Sequence, residues 1–179
     1  IIIVNYSYYS LGNSSVLTAE VSRQVKKNTV ATGCCFAEVE VDMKLGKIKV
    51  LDIVNVHDSG ILLNPQLAAM QVHGGMSMGM GCGLSEQLLL DEKTGRPLNG
   101  TLLDYKLMTT MDTPDLTAEF VELNDPMGPY GNKALGEPPA IPGAPAIRNA
   151  VLHATGIGFA EIPLTPQRLI DGFTKAGLI

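Results

Sequence analysis

Residues 35–54 constrain the fold more than any other stretch of this chain. Cys35-Phe36-Ala37-Glu38-Val39-Glu40-Val41-Asp42 alternates apolar and acidic residues, Lys44-Leu45-Gly46 turns the chain, and Lys47-Ile48-Lys49-Val50-Leu51-Asp52-Ile53-Val54 alternates again. A period of two places alternate side chains on opposite faces, so this segment is expected to be a β-hairpin with one wet face. The acidic arm lies opposite the lysine arm, which gives favourable cross-strand pairs. His57-Asp58-Ser59-Gly60 ends the second arm.

The remaining elements follow from local signals. Residues 1–10 are β-branched and aromatic and read as a strand. Residues 11–29 are polar and weakly patterned, a loop with room for a helix near 17–25. Asn64-Pro65 turns into a helix expected from Gln66 to about Leu90. Leu116 to Leu123 reads as a strand, and 125–131 as a loop. Pro145 opens a helix over Ala146–Ala154 that closes at Thr155-Gly156. Thr165-Pro166 caps a last helix through about Phe173. Hairpin, further strands and several helices together predict an α+β fold.

Length and charge narrow the function. The 179 residues are about one domain's worth, with a net charge of −5. No basic block exceeds Lys26-Lys27, so binding along nucleic acid is not expected, because neutralising phosphates needs a basic face. No apolar run approaches the roughly 18 residues of a membrane span. The opening IIIVNYSYYS lacks a basic region and a cleavage site and is not expected to be a signal peptide. It also lacks an initiator methionine, as a fragment or processed piece would. Charged residues are 17%, below the usual ~25%, so much of the surface is expected to be buried against other chains or further parts of its own. Cys34, Cys35 and Cys82 are an odd count with two adjacent; they make no disulfide framework and cannot supply four thiolates to a cluster or zinc. They are expected to be buried free thiols in a reducing cytoplasm.

Two features ask for a special explanation. Gly75, Gly79 and Gly83 recur at four-residue spacing along the first helix. Glycine costs about 1 kcal/mol relative to alanine in a helix, so either a second backbone or a ligand comes close to this face. The second feature is Lys133-Ala134-Leu135-Gly136-Glu137-Pro138-Pro139, followed by no charged side chain until Arg148. Pro138 and Pro139 stiffen the chain after Glu137, and Pro138 biases Glu137 toward extended geometry. Gly136 permits a close backbone approach. Lys133 is placed to orient the carboxylate or to contact an anionic group. A rigid, partly dry carboxylate acquires the raised pKa of a general base; the alternative is that Glu137 only orders its loop.

Other residues carry less. His57, His73 and His153 are scattered without a zinc spacing. Gly75-Met76-Ser77-Met78-Gly79 has the letters of a nucleophile elbow but lies within a helix, not after a strand. Met70, Met76, Met78 and Met80 read as core filler, and Asp104-Tyr105-Lys106 as a hydrogen-bonded surface cluster.

The order Asn64-Pro65, Gln71-Val72-His73-Gly74-Gly75, Gly79-Met80-Gly81, Glu86, Tyr105-Lys106, Asp112-Thr113-Pro114, Lys133 to Pro139 (KALGEPP) and Leu164-Thr165-Pro166 resembles the molybdenum hydroxylases, the xanthine dehydrogenase and aldehyde oxidoreductase family. The resemblance covers about residues 30–170 and is closest to the bacterial xanthine dehydrogenase branch. It implies that residues 1–179 are the C-terminal part of the molybdopterin-binding domain of the large subunit. It implies that Glu137 stands beside molybdenum as general base, that Gln71 hydrogen-bonds the pterin, that Gly136 allows close approach, and that Lys133 belongs to the same cofactor loop. The glycine face of the helix would then lie near the cofactor. The implied activity is hydroxylation of a purine such as xanthine with oxygen from water, in the cytoplasm. Iron–sulfur clusters and FAD are implied on partner domains or chains, together with the rest of the molybdopterin subunit or a split partner chain. The same chemistry on an aldehyde, nicotinate or another N-heterocycle is the alternative substrate reading. A non-catalytic assembly piece is the alternative from outside enzymology, because the family's other cofactor loops are not matched.

Overall fold

The computed structural model describes the backbone of residues 2–8 and 17–23, and residues 28–179 in full. Its elements are β1 (Ile2–Tyr8), β2 (Leu17–Arg23), β3 (Thr32–Asp42), β4 (Lys47–Asp58), α1 (Pro65–Leu84), β5 (Leu116–Phe120), α2 (Gly143–Thr155) and α3 (Pro166–Lys175). The α+β expectation holds. The stretch read as loop with room for a helix contains β2, which pairs antiparallel with β1 from Ile2↔Arg23 to Tyr8↔Leu17. Strand pairing across the chain overrode a weak local pattern there. Positions 24 and 25, the end of that optional helix, lie outside the described residues.

β3 and β4 form the expected hairpin, longer at its open end than the alternation alone indicated. β5 then adds alongside β4 in parallel, from Ile53↔Leu116 to His57↔Phe120, giving the order β3-β4-β5. The acidic and lysine arms do face each other at Glu40↔Lys49 and Asp42↔Lys47, while Glu38 lies opposite Asp52.

One face of this sheet meets α1 and α2. Val50 and Ile53 of β4, Val72, Met76 and Met80 of α1, and Ile147 of α2 form a continuous buried cluster. A second cluster joins Val151 to Phe159, Leu164, Leu169 and Phe173, with the Phe159 and Phe173 rings edge to face at 5.9 Å. Of the four methionines read as core filler, Met76 and Met80 are buried, whereas Met70 and Met78 are exposed on the opposite side of α1. The cysteines are unpaired as expected but not buried as expected: Cys34 and Cys82 are exposed and Cys35 is half-buried. Cys34 sits on the open face of β3, whereas Cys35 turns inward, where burial and then Cys34 push its thiol up to about 11.

α1 begins where expected, with the Asn64 side chain accepting the Leu67 N–H at 3.0 Å and Pro65 in the first turn. It ends at Leu84, six residues before the expected Leu90. Ser85 and Glu86 both donate their N–H groups back to the Gly81 carbonyl, and the Ser85 hydroxyl donates to the Lys106 carbonyl. The chain then leaves as an irregular segment, tied by Asn99 to the Leu89 N–H and the Gln87 carbonyl. The Asp104-Tyr105-Lys106 cluster is hydrogen-bonded, with the Tyr105 hydroxyl donating to Glu86 at 2.8 Å and its pKa raised mainly by that bond. Among the described residues no helix is long and apolar enough to cross a membrane.

Candidate functional site

The site is built on the open end of β4. The register between β3 and β4 shifts between Glu38 and Val39, so that Leu51 is an extra residue without a partner. A bulge of this kind reverses which side chains face inward. Before it, Ile48 and Val50 turn toward the core; after it, Ile53, Asn55, His57 and Ser59 do. The even alternation read from the sequence through Leu51-Asp52 therefore breaks, and three polar residues are carried into the interior.

The chain segment containing Glu137 lies against that end. Asn55 Nδ2 donates to the Pro139 carbonyl at 3.0 Å across 84 residues of sequence. The Lys133 N–H donates to the Ser59 carbonyl at 2.7 Å, and Gly60 bridges to Asn132. Gly60 has φ +72, and a Cβ there would meet the Gly131 carbonyl and the Asn132 backbone, so only glycine permits this approach. The Lys133 ammonium donates to Asp58 Oδ2 at 2.6 Å, with side chains only 11% and 13% exposed. That bond, and after it the Gly60 N–H on Asp58 Oδ1, hold the Asp58 carboxyl below the usual carboxylate range. Lys133 was expected to orient Glu137 or to contact an anionic group; the anionic group it contacts is the Asp58 carboxylate.

α1 supports the same segment from the other side. A Cβ on Gly75 would come to 2.5 Å from the Pro139 Cβ and 2.8 Å from its carbonyl carbon. On Gly79 it would lie 3.0 Å from the Ala140 carbonyl oxygen, and on Gly83 3.2 Å from the Ala144 Cα. The glycine stripe is thus the seat of the segment 139–144: close backbone packing accounts for all three glycines. Gln71, one turn before the stripe, donates its amide to the Gly136 carbonyl at 2.9 Å. Leu135 packs against the main core cluster.

Glu137 is the residue these tethers bracket. Its backbone is αR (φ −87, ψ −34), not extended as the following proline suggested, because its carbonyl accepts the Ala140 N–H at 3.0 Å and closes a 3-10 turn over Pro138–Ala140. The Pro139 anchors to Asn55 and Gly75 outweigh the pre-proline preference. The side chain is exposed, does not cap the turn, and takes no part in either ion pair found among the described residues. The described residues do not build the dry surroundings expected of this carboxylate. Gly136, its chain neighbour, has nothing within 4 Å of where a Cβ would stand, and the same holds for Gly74 on α1. Glu137 and Gly136 are exposed, and the exposed Gln71 side chain is bound to the Gly136 carbonyl beside them.

Sequence reading missed Asn55, Asp58 and Gly60 as parts of the site. A signal for Asn55 existed: Asn55, His57 and Ser59 recur at alternate positions of a strand whose neighbours on that side are apolar. The cost of that choice shows in the structure. Asn55 Oδ1, both ring nitrogens of His57 and the Ser59 hydroxyl are buried without a hydrogen-bond partner among the described residues, and each such group costs about 1–3 kcal/mol. His57 is 1% exposed, and burial holds its pKa below the usual value, so the ring is neutral.

Comparison with known proteins identifies the family. Residues 4–114 match the family described as molybdopterin cofactor-binding domain. The chain is 50% identical over 173 residues to the xanthine dehydrogenase molybdenum-binding subunit of Escherichia coli O157:H7, covering 97% of this chain and 23% of that one. It is 34% identical over 158 residues to the aldehyde oxidoreductase molybdenum-binding subunit PaoC of Escherichia coli (strain K12), covering 88% of this chain and 21% of the other. Among solved structures, quinoline 2-oxidoreductase from Pseudomonas putida 86 superposes with a TM-score of 0.82 at 29% identity, over 93% of this chain and 22% of that one. The chain therefore spans less than a quarter of the length of the relatives it matches.

Proposed function

This chain belongs to the molybdopterin cofactor-binding family, and from that premise we propose that it is the C-terminal part of a molybdenum hydroxylase large subunit, with Glu137 as its general base. The observation that carries the reading is a free, exposed carboxylate on a segment tethered both before and after it, next to open backbone. A surface glutamate needs no such tethers. A base that must meet a reacting atom within hydrogen-bond reach does. The residues present are compatible with the cofactor: Gly136 leaves its backbone uncovered, with nothing within 4 Å of a Cβ position, and Gln71 retains an N–H and an acceptor oxygen.

When bound, the cofactor supplies the two-electron oxidation that accompanies hydroxylation of the substrate carbon. Glu137 accepts at a carboxylate oxygen the proton that the attacking water must lose. Gln71 and Gly136 border the pterin, and Lys133 belongs to the same loop, its ammonium locked by Asp58. Dryness around Glu137 comes from the other parts of the subunit. Iron–sulfur and flavin groups on partner domains or chains would supply the route by which the electrons leave.

For the substrate we propose a purine such as xanthine, supported by the 50% identity to a xanthine dehydrogenase subunit against 34% to an aldehyde oxidoreductase subunit. In the complete enzyme, Glu137→Gln is expected to lower turnover by about 10²–10⁴-fold while molybdenum content and KM stay near wild type. Undiminished turnover sinks the reading. Comparing kcat/KM for xanthine and for aromatic aldehydes tests the substrate, and a preference for aldehydes reverses it.

A further inference from the structure

We infer that Asp58 is a positioning residue for Glu137, acting through Lys133; the inference rests on the general-base reading above. The end of β4 offers two side chains to the Glu137 segment, Asn55 to Pro139 after it and Asp58 to Lys133 before it. Between these anchors Leu135 is packed in the core and the Gly136 carbonyl is tied to Gln71. The Lys133 N–H and ammonium are both bound to consecutive residues of one strand end, Ser59 and Asp58. Lys133 therefore cannot rotate about its own backbone without breaking one of the two. Asp58 in turn is set by the Gly60 N–H at 3.0 Å, so its carboxylate is fixed before it meets the lysine.

The placement is directional. An ion pair across 75 residues, almost withdrawn from water, fixes the segment's start more sharply than an exposed pair does. Glu137 Oε atoms lie only four residues further on, past a glycine whose own freedom is removed by Gln71. A shift of about 1 Å at a reacting group can lower a rate about a hundredfold, so loosening Lys133 is expected to appear in kcat rather than in substrate binding.

The test uses the complete enzyme with Asp58→Asn, which keeps the acceptor for the Gly60 N–H and removes the charge. Expected are a kcat lower by about ten- to a hundredfold, unchanged KM and unchanged molybdenum per enzyme. Hydrogen exchange should be faster at the Lys133 and Ala140 amides, which bond the Ser59 and Glu137 carbonyls, and unchanged at the turn end of the β3–β4 hairpin. Glu161→Gln, which removes the exposed pair to Arg168, serves as the control and changes none of these. Should Asp58→Asn fail to accumulate, Asp58→Glu keeps the charge on a longer arm and is expected to give the same pattern in milder form. Wild-type kcat or wild-type exchange at Lys133 and Ala140 in an Asp58 variant, with Glu137→Gln inactive, overturns the positioning role and leaves the base intact. Full turnover in Glu137→Gln removes both.

Discussion

The two ends of strand β4 obey different rules. At the turn end, Lys47 and Lys49 stand opposite Asp42 and Glu40 in register, yet neither pair closes to an ion pair and all four residues are exposed. At the open end, Asp58 reaches a lysine 75 residues away and binds it at 2.6 Å in a nearly dry setting. The Leu51 bulge separates the two regimes. It is one residue, but it moves Asn55, His57 and Ser59 to the inward face, where apolar residues would be more stable. The lesson is that local charge patterning builds a soluble hairpin, whereas the costly buried polar groups gather where the chain must hold a distant segment still.

Breaking the open end should therefore cost more than any change at the turn. Lys133→Met leaves Asp58 without its partner and is expected to destabilise the fold by about 2–3 kcal/mol, somewhat under the 3–5 of a fully buried pair; equilibrium denaturation measures it. If the loss is no larger than that of Lys49→Ala, the contrast between the two ends fails. The glycine seat sharpens the same comparison. Gly75→Ala must displace Pro139 backbone, at a cost of up to ~3 kcal/mol from overpacking, offset by about 1 kcal/mol of helix propensity. The expected order of losses is Gly75→Ala, Gly79→Ala, then Gly83→Ala, following clearances of 2.5, 3.0 and 3.2 Å. An equal effect at all three positions contradicts a seat that tightens toward the Glu137 segment.

Acid should act on the open end first. His57 has a lowered pKa in the folded state, so the unfolded chain takes up the proton more readily and stability falls as pH drops below its ordinary value of 6.5. Asp58 also has a lowered pKa; its contribution is complete above 3.8 and is lost as pH falls through the lower folded value. Both slopes have the same sign. Chemical denaturation from pH 7 down to about 2 should show the part of the slope below 6.5 removed by His57→Gln and the part below 3.8, which belongs to Asp58, still present. The smallest effect is expected for Lys49→Ala, an exposed cross-strand partner worth below ~0.5 kcal/mol and screened further by salt.

Some of this was legible before any coordinates. The hairpin was, because alternation over eight residues on each side of a glycine turn has only one economical folding. The starts of α1 and α3 were, since Asn64-Pro65 and Thr165-Pro166 cap in place. The glycine stripe was recognised as a close approach, though not what approaches. β2 and the early end of α1 were not legible, because a strand partner and the Ser85–Lys106 bond lie outside any local window.

At the site the division is sharper. The sequence by itself determined that Glu137 is a lone carboxylate in a stiff, charge-poor stretch, and the KALGEPP pattern determined the family it points to. Only the tertiary structure decided that Lys133 serves Asp58, that Gln71 holds the Gly136 carbonyl, and that Glu137 is αR, exposed and without a side-chain partner among the described residues. The reason is physical. Composition and period act over a few residues, where one backbone dictates its own geometry, but the partners of a charge or a carbonyl are whatever the packed sheet and helix bring within 3 Å, here from 65 to 84 residues away along the chain.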